Sequence, residues 1–382
     1  MSRPTPAPRS DGIRRANLSV VLRLIHERGP RSRAELTRET GLNRSTVAHL
    51  IAALSARGLV AERDPTPQRR VGRPSPVVAA SDDLVALAVN PEVDAIEVAA
   101  VSLAGRVRER SRVLCPEAPT VAEVVRVVDS VLREWRSGPL RAARLAAVGV
   151  AVPGLVQART GTVRLAPHLG WHDADLASPL AAAIGVPVAV DNDATLGVLA
   201  ERLFGAAAHD DDVIYLNGGA SGIGGGIVLR GIHIRGADGY AGEWGQVSLG
   251  GPDSGVLEDE VSRARLLRIA RLGPVDDHAL AAALADASPA LRAEVDRQRS
   301  LLAVALGNAV NVLNPSKVVL GGFLALLRER GADEFDALVR RRAMPAPAER
   351  VTLTSAALGA DRLLIGAAEA AFAELLDDPL AM

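Results

Sequence analysis

The sequence predicts an α/β protein carrying a separate helical head. Three observations support this. Apolar residues at helical spacing, punctuated by two capping signals, occupy the stretch up to Leu54. From about residue 84, apolar strand-like runs alternate with helical ones, which is the pattern of an α/β body. Charge divides the chain at the same place: residues 1–80 hold 15 Arg against 6 Asp and Glu, and the remainder holds 29 basic against 39 acidic residues. A basic head on an acidic body predicts that only the head faces a polyanion, or else that it is a solvated basic arm.

At 382 residues the chain is long enough for two or three domains. Hydrophobic residues make up 48% and aromatics 2%, so the core must be aliphatic. Cys115 is the one cysteine; it can form neither an internal disulfide nor a thiolate zinc site. The N-terminus has no apolar signal core, and no apolar run approaches the ~20 residues of a membrane helix. The expectation is a soluble cytoplasmic protein with no membrane partner.

In the head, Leu18, Val21, Leu22 and Ile25 fall on one helical face that ends at Gly29-Pro30. Ser32-Arg33-Ala34-Glu35 fits a capping box opening a second, short helix, and Gly41 sits where a left-handed C′ residue is wanted. Asn43 is the expected N-cap of a third helix, Leu42 can staple onto Val47, and Val47, Leu50, Ile51 and Leu54 form the buried stripe. Two capped helices joined by a tight glycine turn describe a helix-turn-helix. Arg44, Ser45, Thr46 and His49 stay off the stripe as donor-rich side chains, placed where a recognition helix meets bases and phosphates. Gly58 to Arg63 reads as a turn into a strand, and PTPQRRVGRPSPVVAAS supplies a basic loop and a return strand. This describes the wing of a winged helix, with Arg69, Arg70 and Arg73 reaching phosphates or a minor groove. A charged interdomain linker is the competing reading.

In the body, LVALAVN, AIEVAAVSL and AAVGVAVPG read as buried strands, and TVAEVVRVVDSVLREW has helical spacing; no short internal repeat is apparent. Asn192-Asp193 closes a strand, a glycine region follows at 218–226, then Gly242-Glu243-Trp244-Gly245-Gln246 and Leu257-Glu258. In this order, with AVPGLV and RLAPHLGW, these segments resemble the ROK family of repressors, open reading frames and sugar kinases over roughly residues 84–372. With the basic head in front, the resemblance extends to the repressor branch of the family.

The resemblance implies a two-lobed, actin-like (ribonuclease H-like) sugar-kinase-type domain, with a sugar held between the lobes. A sugar is a ring of hydroxyls, best satisfied by carboxylates and amides. The matching candidates are Asn192, Asp193, Glu243 and Glu258, with Gln246 and His168 as further donor-acceptors and Gly154 allowing close backbone approach. In the family's kinases the residue matching Asp193 is the general base; here it is read as a vestigial one.

Two departures from the family pattern argue against catalysis and metal. Kinases of the family open the domain with a glycine-rich phosphate loop, whereas this chain has Asn90-Pro91-Glu92-Val93-Asp94. The glycines are gone, Pro91 lacks an N–H, and two carboxylates oppose a triphosphate. The family's zinc site uses a His and three Cys; here the His position is Gln246 and LGGPDSGVLED contains no Cys. Neither zinc nor ATP is therefore expected. The glycine hairpin NGGASGIGGG survives, either kept for nucleotide or as what a tight strand connection needs, and LGNAVNVLNPSKVVLGG, which resembles the family's segment near the adenosine pocket, is read as scaffold.

The expected boundaries are 1–80 for the winged helix-turn-helix and 84–382 for the body. Lobe 1 is placed at 84–192 with a terminal helix at 361–376, and lobe 2 at 193–360. The function expected is a DNA-binding regulator, a repressor by family default, acting on operator DNA as a homodimer or dimer of dimers. A sugar or sugar-phosphate effector would shift its DNA affinity. The alternatives are an active ATP-dependent sugar kinase with an attached head, and a repressor that has lost its sugar.

Overall fold

The computed structural model describes residues 10–63, 76–157, 159–219, 222–250, 255–273 and 275–381. The head begins with α1 (Ser10–Arg28), which buries Leu18, Val21, Leu22 and Ile25 and gives way to Gly29 in the left-handed region. β1 (Arg31–Ser32), α2 (Arg33–Thr40), α3 (Arg44–Ala56), β2 (Val60–Arg63) and β3 (Val77–Ala80) follow. β3 lies between β1 and β2, antiparallel to both, with Val60 opposite Ala80 and Arg31 opposite Val78. Three helices beside a small antiparallel sheet form the winged helix that the sequence predicts. The wing arginines Arg69, Arg70 and Arg73 lie outside the described residues.

The body continues with β4 (Leu84–Pro91), β5 (Ala95–Ser102), β6 (Val107–Leu114), α4 (Val121–Ser137), β7 (Arg144–Val152), β8 (Leu155–Val156), β9 (Val163–Ala166), β10 (Trp171–Ala174), α5 (Ala177–Ile184) and β11 (Val188–Asn192). Next come α6 (Asp193–Phe204), β12 (Val213–Gly218), β13 (Ile223–Leu229), β14 (Ile232–His233), α7 (Leu257–Glu260), α8 (Arg263–Ala270), α9 (Asp277–Ala285) and α10 (Pro289–Leu313). The chain closes with β15 (Lys317–Gly322), α11 (Phe323–Glu329), α12 (Ala332–Arg340), α13 (Pro345–Arg350), β16 (Thr352–Ser355) and α14 (Arg362–Asp377).

Two five-stranded sheets share one plan. In the first, the order is β11-β7-β4-β5-β6; in the second it is β14-β13-β12-β15-β16. Each starts on a central strand (β4, β12) and adds two antiparallel strands on one side. Each then places two later strands on the other side (β7 and β11, β15 and β16), with β7 parallel to β4 and β15 parallel to β12. The body is thus a topological duplication with no matching sequence repeat. β4 and β5 are buried along their whole length, and α10 lays Leu302, Leu306 and Val310 into the cluster that contains Ile214, Leu216, Val318 and Leu320. Burial of this kind stabilises by about 25 cal/mol per Å² of apolar surface; Ala, Val, Leu and Ile supply most of it, and Phe323 and Phe335 are buried in the same cluster.

The chain forms two compact units: Met1–Val150, Asp175–Val190 and Ala367–Met382 in one, Ala151–Ala174 and Asp191–Gly366 in the other. This division differs from the sequence expectation at the head, at residues 151–174 and at the ends of lobe 1, where residues 191–192 and the terminal helix up to Gly366 fall in the second unit. The head joins the first unit, because α1 is tied to α14: Ser19 Oγ donates to the Leu376 carbonyl at 2.7 Å and Arg23 pairs with Asp377 at 2.6 Å. Residues 151–174 join the second unit, because β8, β9 and β10 form their own small sheet and the Gly154 carbonyl accepts from Asn192 Nδ2 at 2.8 Å. Among the described residues, no helix is long and apolar enough to cross a membrane.

Candidate functional site

The helix-turn-helix of the head is built by capping. The Ser32 N–H and hydroxyl each donate to the Glu35 carboxylate at 2.8 Å, and the Glu35 N–H donates back to Ser32 Oγ at 3.2 Å. This capping box, and the charge of Arg31 and Arg38, hold Glu35 below the usual carboxylate range. Gly41 adopts φ of 69°, and its N–H closes α2 on the Thr37 carbonyl. Asn43 then caps α3 by accepting from the Thr46 N–H at 2.8 Å. Val47, Leu50, Ile51 and Leu54 are buried, while Arg44, Ser45 and His49 are exposed and Thr46 is half-buried.

Two of these four side chains have their donors engaged within the helix. Ser45 Oγ lies 2.7 Å from Asn43 Oδ1, and His49 Nδ1 lies 2.7 Å from the Ser45 carbonyl. The surface expected to be donor-rich is therefore mixed, with Arg44 as its cation.

The second site lies wholly in the second unit, which contains Gly154, His168, Asn192, Asp193, Glu243, Gln246 and Glu258. Asn192 ends β11 and caps α6, its Oδ1 accepting from the Thr195 N–H at 3.0 Å while its Nδ2 holds Gly154. Both ends of this amide serve the scaffold. The need for glycine at 154 is also local, since an added Cβ would run into the Leu165 carbonyl on β9. Asp193 opens α6 and accepts from the Ala194 N–H at 2.7 Å. Burial raises its pKa to about 6 against the pull of that N–H and of Arg362.

Glu243 immediately precedes a 3-10 turn, Trp244–Gln246, laid against β13. Two glycines allow the approach. Gly242 has φ of 99°, and a Cβ there would sit 2.8 Å from the Gly225 carbonyl oxygen; a Cβ on Gly245 would strike Glu258 and the Ile223 carbonyl. Glu258 is held by the Ile223 N–H at 3.1 Å and by Gln246 Nε2. Desolvation raises the pKa of Glu243, and the neighbouring charges of Asp193 and Glu258 add to the effect. Three carboxylates therefore share one electrostatic neighbourhood. His168 is exposed on the Pro167–Leu169 turn between β9 and β10.

The fold adds residues that the sequence did not flag. Tyr215 is fully buried on β12, and its hydroxyl feels Arg362 together with Asp193 and Glu201; burial pushes its pKa up. Arg235 pairs with the buried Asp191 at 2.7 Å, one residue before Asn192. Nothing in the local sequence marks Tyr215 or Arg362, because the chain separates them from Asp193 by whole elements.

The Asn90–Asp94 segment lies in the first unit as the β4–β5 turn. The Glu92 N–H donates to the Ala95 carbonyl at 2.7 Å, and Asn90 Nδ2 donates to Glu92 at 3.0 Å. From β6, Arg112 reaches Glu92 at 2.6 Å and Asp94 at 3.1 Å. The two carboxylates are thus balanced by a guanidinium and do not stand unopposed.

Fold and sites together define a winged-helix head on a sugar-kinase-type body. The chain belongs to the ROK family, whose profile matches residues 87–374. The profile of the MarR family matches residues 19–70. The xylose repressor of Caldicellulosiruptor bescii is 23% identical, across 96% of this chain and 98% of its own length. A glucokinase of Halalkalibacterium halodurans is 31% identical, across 58% of this chain and 74% of its own. Among solved structures, a ROK family transcriptional regulator that is a homologue of the E. coli MLC protein superposes with a TM-score of 0.78. It is 24% identical and covers 96% of this chain and 97% of its own, a likeness of fold.

Proposed function

We propose that this chain is a sugar-responsive DNA-binding repressor whose body binds a sugar without phosphorylating it. The head supplies a helix, α3, with one exposed face and a basic residue at its start, and a relative named as a xylose repressor matches 96% of the chain. The site around Asp193, Glu243 and Glu258 offers acceptors to sugar hydroxyls. Its clustered negative charge favours an uncharged sugar over a phosphorylated one.

The observation that carries the non-catalytic reading is the Arg112 clamp. Where the family resemblance puts a phosphate loop, the turn has no glycine, lacks the Pro91 N–H and is closed by its own ion pairs. The zinc site of the family does not fit these residues either. Gln246 stands at the His position with its amide engaged by Glu258, and Cys115 is the only thiol. Operator DNA read as two half-sites calls for a homodimer or a dimer of dimers in the cytoplasm.

Active ATP-dependent phosphorylation is the second reading. Asp193, with a pKa of about 6, is suited to a general base, and this observation favours it. A thermal-shift screen against a sugar library and ATP–Mg, followed by a coupled kinase assay, separates the two. One stabilising sugar, no ATP shift and no turnover support the repressor. Turnover abolished by Asp193→Asn supports the kinase. Coupling of ~1–3 kcal/mol changes DNA affinity 5- to 150-fold, and operator DNA must weaken sugar binding by the same factor. Sugar affinity unmoved by saturating operator would sink the regulatory model.

A further inference from the structure

We propose that Ser45 and His49 together read the amino edge of one base, adenine N6 or cytosine N4, and so set sequence preference at one position of each half-site. The assignment rests on the DNA-binding reading above and follows from where the protons must be.

Asn43 Oδ1 accepts from the Thr46 N–H at 2.8 Å, which fixes the amide with its oxygen toward α3. Ser45 Oγ lies 2.7 Å from that same oxygen. An amide oxygen carries no proton, so the Ser45 hydroxyl donates there and only its lone pairs remain for a partner. One turn on, His49 Nδ1 faces the Ser45 carbonyl at 2.7 Å. A carbonyl only accepts, so Nδ1 carries the hydrogen and Nε2 of the neutral ring is a lone-pair acceptor. Residues at i and i+4 share a helix face, and both side chains are exposed.

The pair therefore presents acceptors. Phosphate oxygens also accept, so neither group is suited to the DNA backbone. In the major groove, adenine N6 and cytosine N4 are the donors on base edges, while guanine and thymine present acceptors. The base facing Ser45 and His49 is then A or C on the contacted strand, and G or T there meets acceptor against acceptor. Arg44, beside them, keeps its guanidinium for phosphate or guanine.

The test is selection from a randomised duplex library by the full chain, with wild type, His49→Ala, Ser45→Ala and His49→Arg compared. The expected wild-type motif holds one position per half-site where A or C exceeds G or T by about tenfold or more. His49→Ala flattens that position and leaves the others, Ser45→Ala weakens it, and His49→Arg, which replaces an acceptor with donors, moves it to G. Melting temperatures within a degree or two of wild type establish that the variants fold. A His49→Arg motif identical to wild type, or a His49→Ala motif with no flattened position, overturns the assignment. A wild-type protein that enriches no sequence overturns the DNA-binding reading itself, and the assignment falls with it.

Discussion

His26 and Glu369 form a buried ion pair between the first helix of the head and the last helix of the chain. His26 Nε2 lies 2.9 Å from the Glu369 carboxylate, and Nδ1 lies 2.6 Å from the Leu103 carbonyl. Both ring nitrogens face acceptors, so the ring donates from both as an imidazolium. Burial pulls its pKa down, but the Glu369 carboxylate and the two hydrogen bonds more than offset this, and the net shift is upward from 6.5. Breaking a buried pair by removing one partner costs about 3–5 kcal/mol. His26→Ala should lower the melting temperature by several degrees at pH 6. The folded pKa exceeds the unfolded one, so the stabilisation is fully present below about pH 6.5 and is lost as pH rises through the folded value. The gap in melting temperature between wild type and His26→Gln should therefore be widest below about pH 6.5 and narrow as pH rises through the folded value; a gap that never narrows with rising pH contradicts the charged pair.

Asp193 should show the signature of a residue retained for binding at the expense of stability. Its pKa is raised to about 6, so its charged form burdens the fold above that pH and not below about 3.8. Asp193→Asn is expected to stabilise the protein by about 1–3 kcal/mol at pH 8 and to change little at pH 3.5. The same variant should bind the sugar found in the screen at least tenfold more weakly by calorimetry. Sugar affinity in the wild type should decline as pH falls through 6, because protonation removes an acceptor. A variant that is more stable and binds as well as wild type would remove Asp193 from the site.

Arg112→Ala tests the turn at Asn90–Asp94. Arg112, Glu92 and Asp94 are partly exposed, so the ion pairs contribute about 0–1 kcal/mol and the melting temperature should move by only a degree or two. No ATP–Mg stabilisation should appear, since two unbalanced carboxylates then face the anion. An ATP shift in the variant would show that the clamp alone blocks nucleotide.

Gly149→Ala probes the packing of α14 on β7. An added Cβ would enter the Ala367 backbone, which cannot give way as a flexible side chain would. A loss of about 1–3 kcal/mol or more in urea denaturation is expected. Wild-type stability would place the helix elsewhere.

Much of the head was legible in the sequence, because its signals are local. The Ser32–Glu35 box, Gly41, Asn43 and the stripe from Val47 to Leu54 lie within a few residues of what they control. The buried strands β4, β5 and β7 were legible for the same reason, as continuous apolar runs. β6 was not, because Arg108, Arg110 and Arg112 alternate along an edge strand and dilute its apolar pattern. The shared plan of the two sheets was hidden, because strand order is set by pairing partners far apart in the chain. At the second site the motif carboxylates were visible and their neighbours Tyr215 and Arg362 were not. Only the hydrogen-bond geometry of α3 showed that Ser45 and His49 present lone pairs, where their residue types alone had suggested donors.

The β4–β5 turn also bears on where this protein can go from here. A phosphate loop needs glycines at its bend and open N–H groups, so Pro91, Glu92 and Asp94 would all have to change, and Arg112 would then be a guanidinium without a partner. Each single reversion leaves a charge stranded or a backbone donor missing, with no gain in nucleotide binding to offset it. On the reading proposed above, regaining a phosphate loop at this turn therefore takes several coordinated changes, because no one of them restores both the glycines and the missing N–H.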